Sequence, residues 1–259
     1  MNDFSRTVFV IAVGCILLGS AGEAGAQPSS PYRQYSGSMF VNGNLKLFFR
    51  KQWWAHDLRE QARNTAGGRQ AVVGTEEASS ILQVKLPLAV SSFRSVGGPI
   101  VPRRLAAGLQ DIDEAHRQSL ETAFAGLLKG YDQHLDRNDE QRLKNNLAGA
   151  FNFLFASAYQ ALKNQELNGE QRESMLEQLN EGIALALKER RLSDRDKQEM
   201  YESVVLAGSI VRGLYTEGRD KGRPDQLKLA RELSKDLLEQ AMGLTLDKVH
   251  VEGDGVRLD

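Results

Sequence analysis

From Asp111 to the end of the chain, apolar residues recur at spacings of three and four. That is the period of a helix with one buried stripe. Five such stretches follow one another. Ile112 to Asp136 carries Leu120, Phe124, Leu127, Leu128 and Tyr131, and Asp139 to Asn164 is the second. Gly169 to Arg191 carries Met175, Leu176, Leu179, Ile183 and Leu187. Ser193 to Glu217 carries Met200, Tyr201, Val204, Val205, Gly208, Val211 and Tyr215, and Pro224 to Met242 carries Leu227, Ala230, Leu233, Leu237 and Leu238. Punctuation agrees with the pattern. Ser193 with Asp196 three residues on reads as a capping-box variant. Pro224 suits a first turn, and Gly243 suits a left-handed helix end. Short connections predict that consecutive helices pack as antiparallel neighbours.

The second stretch differs from the others. Asn145 to Leu162, "NNLAGAFNFLFASAYQAL", has no charge and no clean wet face. It falls short of the ~20 apolar residues of a membrane span, and Asn152, Ser157 and Gln160 interrupt it. The reading is a central helix covered by its amphipathic neighbours, with Ala148, Gly149, Ala150 and Ala156 allowing close approach. Asn152 then needs a polar partner on another helix or a place at the edge of the buried face, since an unsatisfied buried amide costs roughly 1–3 kcal/mol.

Before residue 110 the texture changes. Gln27 to Ser38, rich in Ser, Pro and Gly, reads as a flexible lead-in. Asn42-Gly43 between apolar segments of Met39 to Phe49 is a hairpin signal. Lys51 to Asn64 reads as a short helix anchored by Trp53, Trp54 and Leu58. Ile81 to Val90 alternates with period two, as a half-buried strand does, and Pro87 demotes it to an edge. After Gly243 the alternation around Val249 and Val251 is β-like and open to pairing with these earlier strands. The fold class is mainly α: a five-helix bundle over 111–259, a partly β zone over 39–110 and a short C-terminal β-like segment.

The first residues look like a leader. A short start holding Arg6 precedes the apolar run Thr7 to Gly19, and Ala24-Gly25-Ala26 follows. This is the pattern of a secretory signal peptide over 1–26, with cleavage between Ala26 and Gln27. A mature chain from Gln27 is expected in the periplasm or outside the cell. Lipid anchoring through Cys15 is the minor alternative, weakened by the apolar residues that continue after it. Cys15 is the only cysteine. A chain starting at Gln27 therefore has no thiol nucleophile and no disulfide. Removing Asp3, Arg6 and Glu23 takes the formal charge from −1 to zero. That balance gives no basic stripe for nucleic acid, and no stable span is expected after the leader is removed.

Three stretches carry a resemblance: "NNLAGAFNFLFASAY", "SDRDKQEMYE" (Ser193 to Glu202) and "MGLTLDKVHVEGDGV" (Met242 to Val256). Over Asn145 to Asp259 the chain resembles an uncharacterised family of exported bacterial α-helical proteins, a domain of unknown function. The resemblance implies an exported helical domain and brings no activity, ligand or catalytic residue. The zone with Trp53, Trp54 and the hairpin contributes nothing to it.

The four histidines, His56, His116, His134 and His250, show no metalloprotease spacing. His56 with Glu60, and His116 with Asp113, could offer two ligands each, but a solvated histidine beside a carboxylate is the simpler reading. Gly67-Gly68 and Gly97-Gly98 read as turns without a phosphate-loop lysine. Tyr159, Tyr201 and Tyr215 read as core edges rather than a cofactor pocket. Trp53 and Trp54 diverge by about 100° on a helix, so they either wedge between the N-terminal zone and the bundle or expose one ring as an interaction anchor. No catalytic, cofactor or metal residue is assigned.

The leading expectation is an exported, non-enzymatic helical protein that binds another macromolecule in the bacterial envelope, an envelope or secreted protein being the expected partner. The alternatives are a hydrolase with dispersed catalytic residues and a carrier of an apolar ligand. The carrier would use Phe151, Phe155, Gly208 and Val211 between the second and fourth helices.

Overall fold

The fold comes from a computed structural model that describes residues 85–109, 113–189, 191–253 and 255–258. Among them are six α-helices: α1 (Val101–Ala107), α2 (Glu114–Arg137), α3 (Leu147–Lys163), α4 (Gly169–Glu189), α5 (Asp194–Asp220) and α6 (Pro224–Leu237). A π-helical turn, Leu238–Met242, continues α6, and Gly243 ends it in the left-handed region at φ 67°. Strands β1 (Val249–Glu252) and β2 (Gly255–Leu258) close the chain.

The uncharged stretch is the central helix. α3 packs against α4, α5 and α6, and Leu147, Leu154, Phe155, Ala158 and Ala161 are wholly buried. Its partners supply Met175 and Leu176 from α4, Val204, Val205 and Val211 from α5, and Leu233 from α6 to the same core. α3 and α5 run parallel. Their contacts advance together, from Asn145 with Tyr201, through Leu154 with Gly208, to Asn164 with Tyr215. A Cβ added at Gly208 would lie 2.8 Å from the Phe153 ring and 3.2 Å from the Leu154 backbone. Glycine there sets how closely the two helices approach.

Antiparallel pairing of consecutive helices holds for α3 with α4 and α5 with α6. It does not describe α4 and α5, which both pack against α3 instead. From Leu147 to Leu162 α3 carries no charge and is buried on most of its faces, so it takes the middle place.

Three features differ from expectation. α3 starts at Leu147 rather than Asp139, because Asp139 and Asn145 adopt left-handed backbone at φ 56° and 50°. Asn146 then caps the helix, its side chain accepting from the Gly149 amide at 2.8 Å. The expected strand over Ile81 to Val90 is not formed in its described part. Lys85 to Pro87 is irregular and Leu88–Ser91 is a 3-10 turn. The carbonyls of Leu86 and Leu88 are taken by the Asn180 and Asn146 side chains at 3.0 and 2.8 Å, leaving no ladder to join. The C-terminal segment pairs with itself, with Val249 opposite Leu258 and Val251 opposite Val256. This hairpin lies on α4, where Gln171 donates to the Gly253 carbonyl at 2.9 Å and Gln178 to that of Val256.

The helix α1 was not foreseen at all. The amides at its start are satisfied by Glu202 of α5, so no local cap announces it.

Candidate functional site

A buried polar brace fixes the chain that leads into the bundle. Asn146, Asn180, Ser91, Gln198 and Glu202 are all nearly inaccessible. Ser91 Oγ donates to Asn180 Oδ1 at 2.7 Å and accepts from Asn146 Nδ2 at 2.9 Å. Further on, Gln198 Oε1 accepts from the Val96 amide at 2.8 Å, while its Nε2 donates to Gly98 O and Glu202 Oε1. Glu202 Oε2 accepts from the amides of Ile100 and Val101, each at 2.8 Å. A carboxylate at a helix start satisfies orphan N–H groups and meets the positive end of the helix dipole. The Glu202 carboxylate is thus committed as an acceptor for α1.

Beside the brace lies an aromatic group. Phe93 meets Tyr201 edge-on at 5.4 Å between centroids, and Tyr131 meets Phe153 at 4.7 Å and Tyr201 at 6.2 Å. Such tilted contacts place ring edges against ring faces. Burial pushes both phenols well above their usual range, and the nearby Asp132 carboxylate adds to it. The Tyr131 hydroxyl has no hydrogen-bond partner among the described residues. Tyr201 reaches Asp132 only at 3.4 Å. Burial also raises the Asp132 carboxyl, while Lys144 and Tyr201 pull it down. These phenols are poor acids, so the cluster is a packing device with a polar rim.

A third group is cationic. His134 on α2 and Arg212 on α5 are partly buried, and Arg172 lies exposed in the first turns of α4. Burial, followed by the positive charges of Arg212, Arg137 and Arg172, lowers the His134 imidazole to about 4. Burial lowers Arg212 too, against the attraction of Glu166 and with the repulsion of Arg172. Among the described residues, no carboxylate comes within 4 Å of either the Arg172 or the Arg212 guanidinium. Asn152 stands next to this group. It is 8% exposed, and its Nδ2 donates to the Arg172 carbonyl at 3.1 Å. Its Oδ1 is buried without a partner among the described residues. The expected polar partner on another helix exists for one half of the amide only.

Cys15, Ala26, Gln27, Trp53, Trp54 and His56 lie outside the described residues. His116 is exposed and bonded to Asp113, which caps α2 by accepting from the His116 amide at 2.8 Å. The tyrosines do not converge on one pocket. Tyr201 sits near the α3 start, Tyr159 stacks on Phe155, and Tyr215 bonds Asn164 at the other end under Arg219. Phe151, Phe155 and Val211, proposed for an apolar carrier, are in the packed core, and Phe153 fills the space at Gly208. Among the described residues, no three His, Cys, Asp or Glu side chains are grouped to hold a metal ion. Nor is any helix there long and apolar enough to cross a membrane.

Sequence reasoning missed Gln198, Glu202 and the cationic group. A signal for the first two was present: they stand four residues apart in line with Val205, on a face that is otherwise buried. The cationic group had none, because its members come from three separate helices.

These observations define the class: a mainly α-helical protein with one continuous core and a small C-terminal hairpin. The chain belongs to a family of unknown function, DUF6683, whose model matches residues 9–259. The match extends far beyond Asn145 to Asp259, so the N-terminal zone belongs to the family pattern as well, contrary to the narrower resemblance drawn from helical motifs. No curated protein and no solved structure matches the chain.

Proposed function

We propose that this protein is exported and non-enzymatic, and that it binds another macromolecule in the bacterial envelope. The observation that carries the non-enzymatic part is the use of Glu202. This buried carboxylate, the kind of group a hydrolase would use as acid or base, accepts from two backbone amides and Gln198. Gln198, Asn146 and Asn180 are spent in the same way, on carbonyls and amides of residues 86–98. The polar interior therefore serves to hold a scaffold rigid, as a binding module requires. Export rests on the leader pattern of residues 1–26, and the periplasm or the extracellular medium is the compartment it implies.

The test is expression of the full chain in a bacterial host, followed by fractionation and N-terminal sequencing. A periplasmic product starting at Gln27 is expected. An uncut cytoplasmic product overturns the export reading. Photo-crosslinking of the exported chain in cells, with the probe on exposed helix faces, is expected to trap one recurrent envelope partner. Absence of any specific adduct overturns the binding reading.

A further inference from the structure

The C-terminal hairpin has two edges, and α4 takes one of them. In β2 the Val256 amide donates to Ser174 Oγ at 3.3 Å, and the Val256 carbonyl accepts from Ser174 Oγ at 3.5 Å and from Gln178 Nε2. Both backbone groups of Val256 therefore point out of the hairpin, and its pair with Val251 is a non-hydrogen-bonded one. The two kinds of pair alternate along an antiparallel ladder, so His250 with Arg257 and Glu252 with Gly255 are the hydrogen-bonded pairs. Across each trans peptide the N–H and C=O point opposite ways. β1 thus turns outward the Val249 carbonyl, the Val251 amide and carbonyl, and the Gly253 amide, on the edge away from α4.

Among the described residues none of these backbone groups has a hydrogen-bond partner. Their neighbours on the same edge are already satisfied. The Val249 amide donates to the Leu246 carbonyl, and the Gly253 carbonyl accepts from Gln171 Nε2 at 2.9 Å. Val249 and Val251 lay their side chains on the core, while Glu252 and Gly253 are exposed. A Cβ added at Gly253 would meet nothing within 4 Å. An open edge of this kind is a template for another strand.

The pattern of free and occupied groups selects the strand that fits. It is the same segment in a second copy, antiparallel, with Val251 opposite Val251. The two Val251 residues then exchange both N–H···O bonds, and the Gly253 amide of each copy meets the Val249 carbonyl of the other. The Val249 amide and Gly253 carbonyl, which this register leaves facing each other, already have partners. His250 stands opposite Glu252 on each side of the axis, a basic side chain against an acidic one. Sliding the strands by two residues places His250 against His250 or Glu252 against Glu252. It also aims one Val251 group at an atom that is already bonded.

We infer that β1 is a self-association edge, through which two copies of this chain join Val249–Glu252 antiparallel about a two-fold axis at Val251 into one four-stranded sheet. The patch is self-complementary, as an isologous contact requires. The inference rests neither on export nor on an envelope partner.

The experiment is sedimentation velocity of the purified full chain over a wide concentration range. A reversible monomer–dimer equilibrium is expected. V251P removes the central donor from both copies and leaves the β1–β2 ladder its bonds. It is expected to weaken association by about tenfold or more, with circular dichroism checking the fold. H250E sets Glu against Glu252 and is expected to weaken it several-fold. H250E/E252K restores opposite signs and is expected to recover most of that loss, a rescue that decides the matter even where V251P unfolds the hairpin. Cysteine pairing reads the register. H250C and E252C are each made in a C15S background, which removes the only native thiol. Directly opposite residues of a non-hydrogen-bonded pair lie about 4.5 Å apart at Cα, within disulfide reach. The two variants mixed and mildly oxidised are expected to form a mixed disulfide that neither forms alone. A chain that stays monomeric at every concentration overturns the inference. So does a dimer that V251P and H250E leave intact and that gives no mixed disulfide. A monomer whose Val251 amide resists hydrogen exchange gives the edge to another segment of the same chain and overturns it too.

Discussion

Glu202 Oε2 bonds the Val101 amide at 2.8 Å across 101 residues of sequence. It bonds Ile100 equally closely, so a side chain of α5 does for α1 what a local cap does for most helices. Replacing it by alanine leaves the amides of Ile100 and Val101 without their acceptor and removes one of the two acceptors of Gln198 Nε2. The expected loss is about 2–4 kcal/mol, from charge-assisted bonds and uncompensated burial. E202Q keeps an oxygen for the amides but turns a donor toward Gln198, with a loss of about 1 kcal/mol. Urea unfolding of both variants measures this. Equal stability of E202A and wild type would contradict the cap.

Gly208 faces a filled space. G208A forces a methyl group against Phe153 and the α3 backbone, at an expected cost of about 1–3 kcal/mol. Shrinking the neighbour in the double variant G208A/F153L is expected to recover part of that loss. A double-mutant cycle measures the coupling. Purely additive effects would show that the contact is not what disfavours alanine.

Asn146 both caps α3 and holds Leu88. N146A is expected to cost about 2 kcal/mol, a lost cap plus a buried bond. Amide exchange reads the two roles separately. Faster exchange at Gly149 reports the cap, and faster exchange at Phe93, whose N–H meets the Asn145 carbonyl at 3.0 Å, reports the released segment. Unchanged exchange at Phe93 would show that the segment does not depend on Asn146.

His134 predicts a pH dependence with a definite sign. Its folded value is about 4, against an ordinary 6.5. Below 6.5 the unfolded chain takes up a proton that the folded chain refuses. Stability from this residue is therefore complete above pH 6.5 and declines as pH falls toward 4. Asp113 and Glu173, held below the usual carboxylate range, add an acid loss of their own at lower pH. H134N removes only the first contribution. Denaturant titrations between pH 7 and 4.5 are expected to show a steeper decline in wild type than in H134N. Parallel curves would rule the buried imidazole out as the cause.

Much of the bundle was legible because local grammar and tertiary packing agreed. Ser193 and Asp196 form the capping box their spacing announced, and Pro224 opens α6 as a first-turn proline should. The central place of α3 followed from its lack of charge. Two failures share one cause, satisfaction of backbone groups from a distance. Residues 85–90 alternate as a strand does, but Asn146 and Asn180 occupy their carbonyls. α1 has no cap of its own. Arg172, Arg212 and His134 sit on ordinary helical patterns, and only the packing of three helices brings their charges together.

The brace also sets an order of events. The amides of Val96, Ile100 and Val101 find their acceptors at Gln198 and Glu202. A chain made from its N-terminus passes through about three quarters of its synthesis before those partners exist, with the domain completed from its later part. Such long-range closure slows folding relative to helix pairing. The segment leading into the bundle is thus the last to be sewn in, and the first whose loss would report that α5 has come loose.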